Sequence, residues 1–372
     1  MKRRKHKHSY CENKEKNKDR LSDLPNCLLL HILSFLNAKI VVQTSILSKR
    51  WKNLWKSLSV LRLTSSNFKT ARGSSNFQAV QNFNKFMSKI LSLRDYSASL
   101  HTLDVHRYAI REPRQLKWII KYAVSHNVQH LDIYLKCRFQ QLPPCLFSCR
   151  TLTSLKLSVF RSRLYTMKAF FPISPNLPAL TSLSLQSFTF LVGDDGRIEP
   201  FSSLNKLNSL LIDKCEVLDA QNLCISSATL VNLTIIMSYR AHKAYFGFEL
   251  STPSLCTFNF SGFPVQKLCG SNSNLSTVKH ANIDVDYWLH TADTPLVLLN
   301  WLVELANIKS LTVTSTTLKV LSLVPDLVKF EFSFLCNMKS LKVKRKYSSS
   351  VPDGLVDFLL QNSPSAKVDI VD

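Results

Sequence analysis

Two hydrophobic rhythms divide the chain. In the first, between residues 24 and 55, Leu28, Ile32 and Leu36 are spaced by four, with Leu29 and Leu33 filling the stripe. That spacing predicts an amphipathic helix. Ser22 or Asp23 stands where a cap is needed, and Pro25 suits a first turn, where a missing N–H costs nothing. Asn37 can open a second helix carrying Ile40, Val41 and Val42 and ending near Leu47, and Ser48 can cap a third with Trp51, Leu54 and Trp55 on one face. Three short helices cannot hide that much apolar surface among themselves. Domains below roughly 40 residues seldom fold alone without a metal, a disulfide or a partner, so some of this surface must meet something else.

The second rhythm begins near residue 100. The pattern L-x-x-L-x-L recurs, with substitutions, from Leu100, Val128, Leu152, Leu180, Leu207, Leu230, Leu255 and Leu275, at intervals of 28, 24, 28, 27, 23, 25 and 20 residues. Ile308 and Leu327 start two less regular units. A period of about 20–29 residues is that of a leucine-rich repeat, in which one strand and one return segment of helix or loop form each unit and stacked units share a core. Three residues beyond the last apolar position of five units stand Tyr108, Phe160, Phe188, Cys215 and Phe263, a candidate column of stacked side chains. The expected fold is α/β: three short helices, then a solenoid built on a parallel sheet.

Between the two regions, Val60–Leu63 reads as a strand, and Phe77, Val80, Phe83, Phe86, Met87, Ile90 and Leu91 make one face of a helix. This stretch is read as the N-terminal cap of the solenoid, joined tightly to the helices before it. Return helices are expected at Gln115–Val124 and Leu296–Ala306. A last helix (Leu355, Phe358, Leu359, Leu360) and a closing strand (Val368, Ile370) are expected to cover the open end.

Composition narrows the chemistry. Among 372 residues there are only 7 glycines, with no G-x-G-x-x-G, P-loop or G-x-S-x-G, so the common phosphate cradles and the nucleophile elbow are absent. The 10 cysteines include no C-x-x-C, and Cys145 and Cys149 lack a second ligand pair at zinc spacing. Asp194 and Asp195 lack the further ligands calcium needs. No cofactor or metal is expected. The histidines are not grouped with Ser and Asp as a triad, and no enzyme is expected. No apolar run is long enough for a membrane span, and the N-terminus has no apolar signal core. An intracellular chain with free thiols follows.

The formal charge is +23, and its location decides its meaning. Residues 1–20 hold Lys2, Arg3, Arg4, Lys5, Lys7, Lys14, Lys16, Lys18 and Arg20 against Glu12, Glu15 and Asp19. Such a segment reads as a disordered tail, either a nuclear import signal or a solubilising one. A second basic run is Lys339, Lys342, Lys344, Arg345 and Lys346.

The first region resembles the F-box in its plant form, through Leu24-Pro25, Ile32-Leu33 and Leu47-Ser48-Lys49-Arg50-Trp51 at these spacings. The resemblance covers residues 20–58, and Cys27 is its one noted departure, where the family often has a polar or acidic residue. It implies docking to the small adaptor of an SCF-type cullin ubiquitin ligase, and through it to a cullin. By position it assigns adaptor contact to Leu24, Pro25, Leu28, Ile32, Leu33, Val41, Leu47, Ser48, Arg50 and Trp51. Together the two regions resemble a large plant family of F-box/leucine-rich-repeat proteins, some with a further C-terminal domain, which is not expected here. The expected divisions are a tail (1–20), the F-box (21–58), a cap (59–99), repeats (100–350) and a closing unit (351–372).

In such repeats the residues between and after the leucines line the concave face. Of the thirty positions so projected, four are acidic (Asp104, Asp132, Asp213, Glu331) and three are lysine (Lys156, Lys279, Lys329). Candidate target contacts are Asp104, His130, Asp132, Tyr134, Lys156, Gln186, Asp213, Asn232, Asn259 and Lys279. A nucleic-acid groove would need several cations and aromatic platforms, so an unknown target protein is the expected occupant. The expected function is a non-catalytic substrate receptor of a ubiquitin ligase in the nucleus, the cytoplasm or both. Two alternatives stay open: a small-molecule or hormone co-receptor on the same scaffold, and a basic nuclear protein whose tail meets nucleic acid.

Overall fold

A computed structural model describes residues 21, 23–68, 76–110, 113–137, 142–159, 168–193, 196–237, 246–264, 268, 275–286, 292–325, 327, 335–346 and 350–371. The basic tail lies outside these residues, as do Phe160, Asp194 and Asp195.

The first region forms α1 (Asn26–Ser34) and α2 (Ala38–Gln43), then two 3₁₀ segments, Thr44–Ile46 and Trp51–Ser57. The Asn37 side chain accepts from the Lys39 N–H at 3.0 Å, so α2 starts on the expected cap. α1 has no side-chain cap. Its start is instead fastened from a distance: Arg50 Nε donates to Asn26 Oδ1 at 2.9 Å, and a second guanidinium N–H donates to the Leu24 carbonyl. The third element is 3₁₀ rather than α, and Ser48 does not cap it. The tighter pitch sets Trp51 and Leu54, three apart, above one another, and both are buried with Trp55.

The repeats supply strands β1 (Val60–Thr64), β2 (Thr102–Ile110), β3 (His130–Cys137), β4 (Ser154–Val159), β5 (Ala169–Phe170), β6 (Ser182–Gln186), β7 (Phe188–Phe190), β8 (Ser209–Asp213) and β9 (Glu216–Val217). They continue with β10 (Asn222–Ser226), β11 (Asn232–Ile236), β12 (Gly247–Ser251), β13 (Thr257–Gly262), β14 (His280–Val285), β15 (Ser310–Thr314), β16 (Ser340–Lys344) and β17 (Lys367–Val371). Twelve of these form one parallel sheet in the order β1-β2-β3-β4-β6-β8-β11-β13-β14-β15-β16-β17. Along the leucine columns its register places one repeat on the next in step, and the β2–β3 pairing shifts only beyond Arg107: Leu103 opposes Leu131, Leu131 opposes Leu155, and Leu155 opposes Leu183. A second column runs Val105, Ile133, Leu157, Leu185 in the same pairs. Both columns are buried. Each such side chain contributes about 1.5–3 kcal/mol relative to leaving it in water.

The return segments were expected to be helix or loop. Helices do return the chain at α3 (Asn76–Leu93), α4 (Pro113–Ser125) and α5 (Thr294–Glu304), and α6 (Ser315–Leu321) and α7 (Leu355–Leu360) follow. In the middle repeats the chain instead returns through short strands, pairing as β5-β7-β9 and β10-β12. The cause is local: Phe-Thr-Phe in β7 and Asn-Leu-Cys-Ile-Ser in β10 alternate aromatic or aliphatic residues at strand period. The chain turns from front to back through left-handed residues, Ser187 (φ 63°) and Lys214 (φ 52°). Gly262 holds the equivalent turn with φ 139°, and a Cβ there would stand 2.7 Å from the Met237 Cβ. Of the expected stacked column, Phe188, Cys215 and Phe263 are buried.

Two repeat frames need correction. The unit assigned to Leu275 starts at Val278. Leu275–Thr277 is a 3₁₀ turn, and the strand opens at His280, so His280, Asn282 and Asp284 take the places expected of Thr277, Lys279 and Ala281. Ala281 is buried, in line with Phe258 and Leu311. The small residue in a leucine column shifted the apparent frame by three. The unit assigned to Leu327 gives no described strand. Lys329, Glu331 and Ser333 lie outside the described residues, and the next described strand is β16 on Met338, within the run read only as basic.

The first region is not tethered but built onto the sheet. The Ser59 carbonyl accepts from His101 and Thr102 at 2.8 and 3.0 Å. Arg94, buried after α3, gives two bonds to the Leu58 carbonyl (3.2 and 2.7 Å) and one each to Ala98 (2.7 Å) and Ser99 (2.6 Å). Lys39 of α2 reaches the Asn67 carbonyl at 2.7 Å and lies over the Phe68 ring. Arg62 of β1 donates to the Ser34 carbonyl of α1. Leu29, Leu33, Val41 and Trp55 belong to the same continuous core as the repeat leucines.

Candidate functional site

Helix α1 has two apolar faces. Leu29 and Leu33 turn inward and are buried, and Leu28, Ile32 and Phe35 recur at i, i+4 and i+7 on another side, 47%, 41% and 66% exposed. The following turns continue the exposure: Ile40 (46%), Ile46 (88%) and Leu47 (63%). Scattered exposed aliphatics are ordinary, whereas six large apolar residues exposed within twenty make this stretch a candidate interaction surface.

The ten residues assigned to adaptor contact separate on this basis. Pro25, Leu28, Ile32, Leu47 and Ser48 are exposed. Leu33, Val41 and Trp51 face the interior, packed among Leu29, Leu54 and Trp55. Leu24 and Arg50 are half-buried and bonded to each other, so the Leu-Pro turn and the Ser-Lys-Arg-Trp turn brace one another. Phe35, Ile40 and Ile46 were not among the ten. Phe35 was legible as the next step of the Leu28–Ile32 stripe, and Ile46 as the neighbour of Leu47 ahead of a polar turn.

A family model for the F-box domain matches residues 21–63, the stretch holding this surface and its anchor into β1. Similarity extends well past it. F-box/LRR-repeat protein 13 of Arabidopsis thaliana is 28% identical over 331 residues, covering 82% of this chain and 66% of that protein. F-box/LRR-repeat protein At3g58930 of the same plant is 28% identical over 95% of this chain and 76% of its own length. The chain carries an F-box domain and is similar, along most of its length, to plant F-box/leucine-rich-repeat proteins. A third Arabidopsis relative, F-box/LRR-repeat protein At2g42730, is 29% identical over 67% of this chain and 53% of its own length. The chain thus spans about half to two thirds of the length of some curated relatives it matches.

The chain carries a second candidate surface on the polar side of the long sheet. Asp104, His130, Asp132, Tyr134, Lys156, Gln186, Asp213, Asn232 and Asn259 all occupy the alternate strand positions opposite the buried columns. Lys279 does not, because of the frame correction. The first four strands form a charge ladder: Arg62 Nε to Asp104 at 3.2 Å, His106 Nε2 to Asp132 at 3.6 Å, and Lys156 Nζ to Asp132 at 3.3 Å. The hydrogen bond to Asp132 raises the His106 pKa above its usual value, against the opposing effect of burial. Burial, then the neighbouring Asp132 charge, raises that of Asp104. Asp132 is pushed up by burial, but His106 and Lys156 outweigh this and its pKa is lowered. Tyr134 lies beside His106, ring centres 6.0 Å apart.

Further along, Gln186 donates to Asp213 at 2.6 Å and Asn259 to the Thr234 hydroxyl at 3.2 Å. Asp284 accepts from Ser261, Thr314 and both ways from Lys346 (2.9 and 2.8 Å). Much of the charge on this face is therefore answered within the sheet. Among the described residues no three His, Cys, Asp or Glu gather as a metal site, and no helix is long and apolar enough to cross a membrane.

Proposed function

We propose that the chain is the substrate-receptor subunit of an SCF-type ubiquitin ligase, acting in the nucleus, the cytoplasm or both. The F-box holds the adaptor and through it the cullin, and the repeats hold a target protein. The chain performs no bond chemistry. Its contribution is proximity, raising the effective concentration of target lysines near a ubiquitin-charged enzyme.

One observation carries this reading: Leu28, Ile32, Phe35, Ile40, Ile46 and Leu47 stay exposed while the same short module is anchored through Arg62, Arg94 and Lys39 to the repeats. The solenoid does not cover the surface, and the anchoring fixes how a bound adaptor sits relative to the repeats. Such a joint suits a receptor, whose target must be presented at a defined distance.

The test is co-purification with the adaptor, comparing wild type with the Leu28→Asp/Ile32→Asp double variant. Both positions are solvent-facing, so circular dichroism and melting should stay near wild type while capture falls by roughly a hundredfold, the effect of losing two central apolar anchors. Undiminished capture by the folded double variant would overturn the reading.

A further inference from the structure

We propose that Lys279, Lys309 and Lys339 form a rim that binds an extended acidic segment of a protein partner. This deepens the receptor reading and rests on it only in taking that partner to be the target.

The three lysines stand immediately before β14, β15 and β16 and occupy the same position in three successive repeats. The Lys309 N–H donates to the Lys279 carbonyl at 2.7 Å, the Lys339 N–H to the Lys309 carbonyl at 2.8 Å, and the Lys367 N–H to the Lys339 carbonyl at 2.9 Å. Two residues earlier, Asn337 donates to the Asn307 side chain at 3.3 Å, so the stacking holds at this rim as well as inside the sheet. All three lysine side chains are exposed, and none makes an ion pair among the described residues.

The arrangement is local and costly. The corresponding positions of the preceding repeats are His101, Gln129, Thr153, Thr181, Asn208 and Val231, then Cys256 before Lys279, with no Lys or Arg among them. Neighbouring strands lie about 4.8 Å apart, and like charges directly opposite destabilise a sheet. On the open face the cations Arg62, Lys156 and Lys342 each face a carboxylate. The rim lysines have none, and neither do the exposed Lys344 and Lys367 on the neighbouring strands, so the C-terminal repeats carry a run of positive charge that an acidic partner would complement. Three ammonium groups spread over roughly 10 Å match three or four residues of extended chain. That is the scale of a short acidic peptide. A nucleic-acid track calls for a longer series of phosphate contacts.

The experiment uses the whole chain and fluorescence anisotropy. The probe is a fluorescein-labelled twelve-residue peptide with a central run of glutamates, beside a matched peptide with glutamines and a short oligothymidylate of equal charge. The glutamate peptide should bind and the glutamine peptide should not. The triple variant Lys279→Gln/Lys309→Gln/Lys339→Gln should lose roughly tenfold in affinity, a factor of a few per exposed charge pair. It should keep full adaptor capture and melt slightly above wild type, because the lysines' mutual repulsion is gone. The proposal is overturned if the glutamate peptide fails to bind wild type, if the triple variant binds it equally well, or if oligothymidylate displaces it more readily than unlabelled peptide. A triple variant that melts below wild type would make the lysines structural and overturn it too. Loss of adaptor capture by wild type would sink the receptor reading and leave the peptide result standing.

Discussion

Leu28 and Ile32 on α1 keep close to half of their surface in water, and Leu103, Leu131 and Leu183 in the long sheet keep almost none. The residue types are much the same; what differs is what lies beside them. Each repeat leucine is covered by its counterpart one strand away, so an apolar column closes on itself. The F-box has one short helix per layer and no next copy, so one face of α1 packs inward with Trp51, Leu54 and Trp55 and another stays open to solvent. On the polar side the contrast reverses. The sheet's open face answers much of its own charge, from Arg62–Asp104 to Lys346–Asp284, whereas the rim lysines of its C-terminal repeats, with Lys344 and Lys367 beside them, have no carboxylate among the described residues.

The comparison breaks most visibly in the sheet. Leu183→Ala removes a buried side chain with copies above and below it, and should cost about 3 kcal/mol in denaturant unfolding. A cost under 1 kcal/mol would mean that the columns are not shared between repeats. Arg94→Met should cost about 2–3 kcal/mol, because four bonds to the Leu58, Ala98 and Ser99 carbonyls vanish inside the joint; proteolysis between residues 58 and 76 should quicken in this variant. Gly262→Ala should lose about 1–3 kcal/mol, since its left-handed φ and the nearby Met237 leave no relaxed place for a methyl group. By contrast, Leu28→Ala should change stability by less than about 0.5 kcal/mol. A large loss there would show α1 to be sealed rather than open.

The smallest effect sharpens the polar side. His106 is bonded to Asp132, and its pKa in the folded chain lies above its unfolded value. Its contribution is fully present below the unfolded pKa of about 6.5 and is lost as pH rises through the raised folded value. Because the ring is 43% exposed, screening limits this to a few tenths of a kcal/mol. Wild type should exceed His106→Gln in stability near pH 5.5, with the gap closed by pH 8.

Much of the architecture was legible because leucine spacing survives in both regions. The α1 stripe, the Asn37 cap, the α3, α4 and α5 return helices and most of the strand starts follow from it. What escaped did so for physical reasons. Ala281 in a leucine column moved one frame by three residues, and lysines at alternate positions disguised β16. The short back strands of the middle repeats follow from aromatic alternation over three to five residues, too brief to separate from loop. The closing strand β17 is present, but Val368 and Ile370 remain partly exposed at the sheet's edge rather than sealed. Of the F-box residues, spacing distinguished helix from non-helix but not inward from outward. Leu33 and Leu28 read alike until Trp51 and Trp55 are placed beneath one of them.

Hydrogen exchange of the whole chain, with and without the purified adaptor, tests the central claim most directly. The account predicts that adaptor slows exchange in Leu28–Phe35 and Ile40–Leu47 and leaves the strands of the long sheet unchanged. Protection confined to the strands, or no protection anywhere at saturating adaptor, would contradict it.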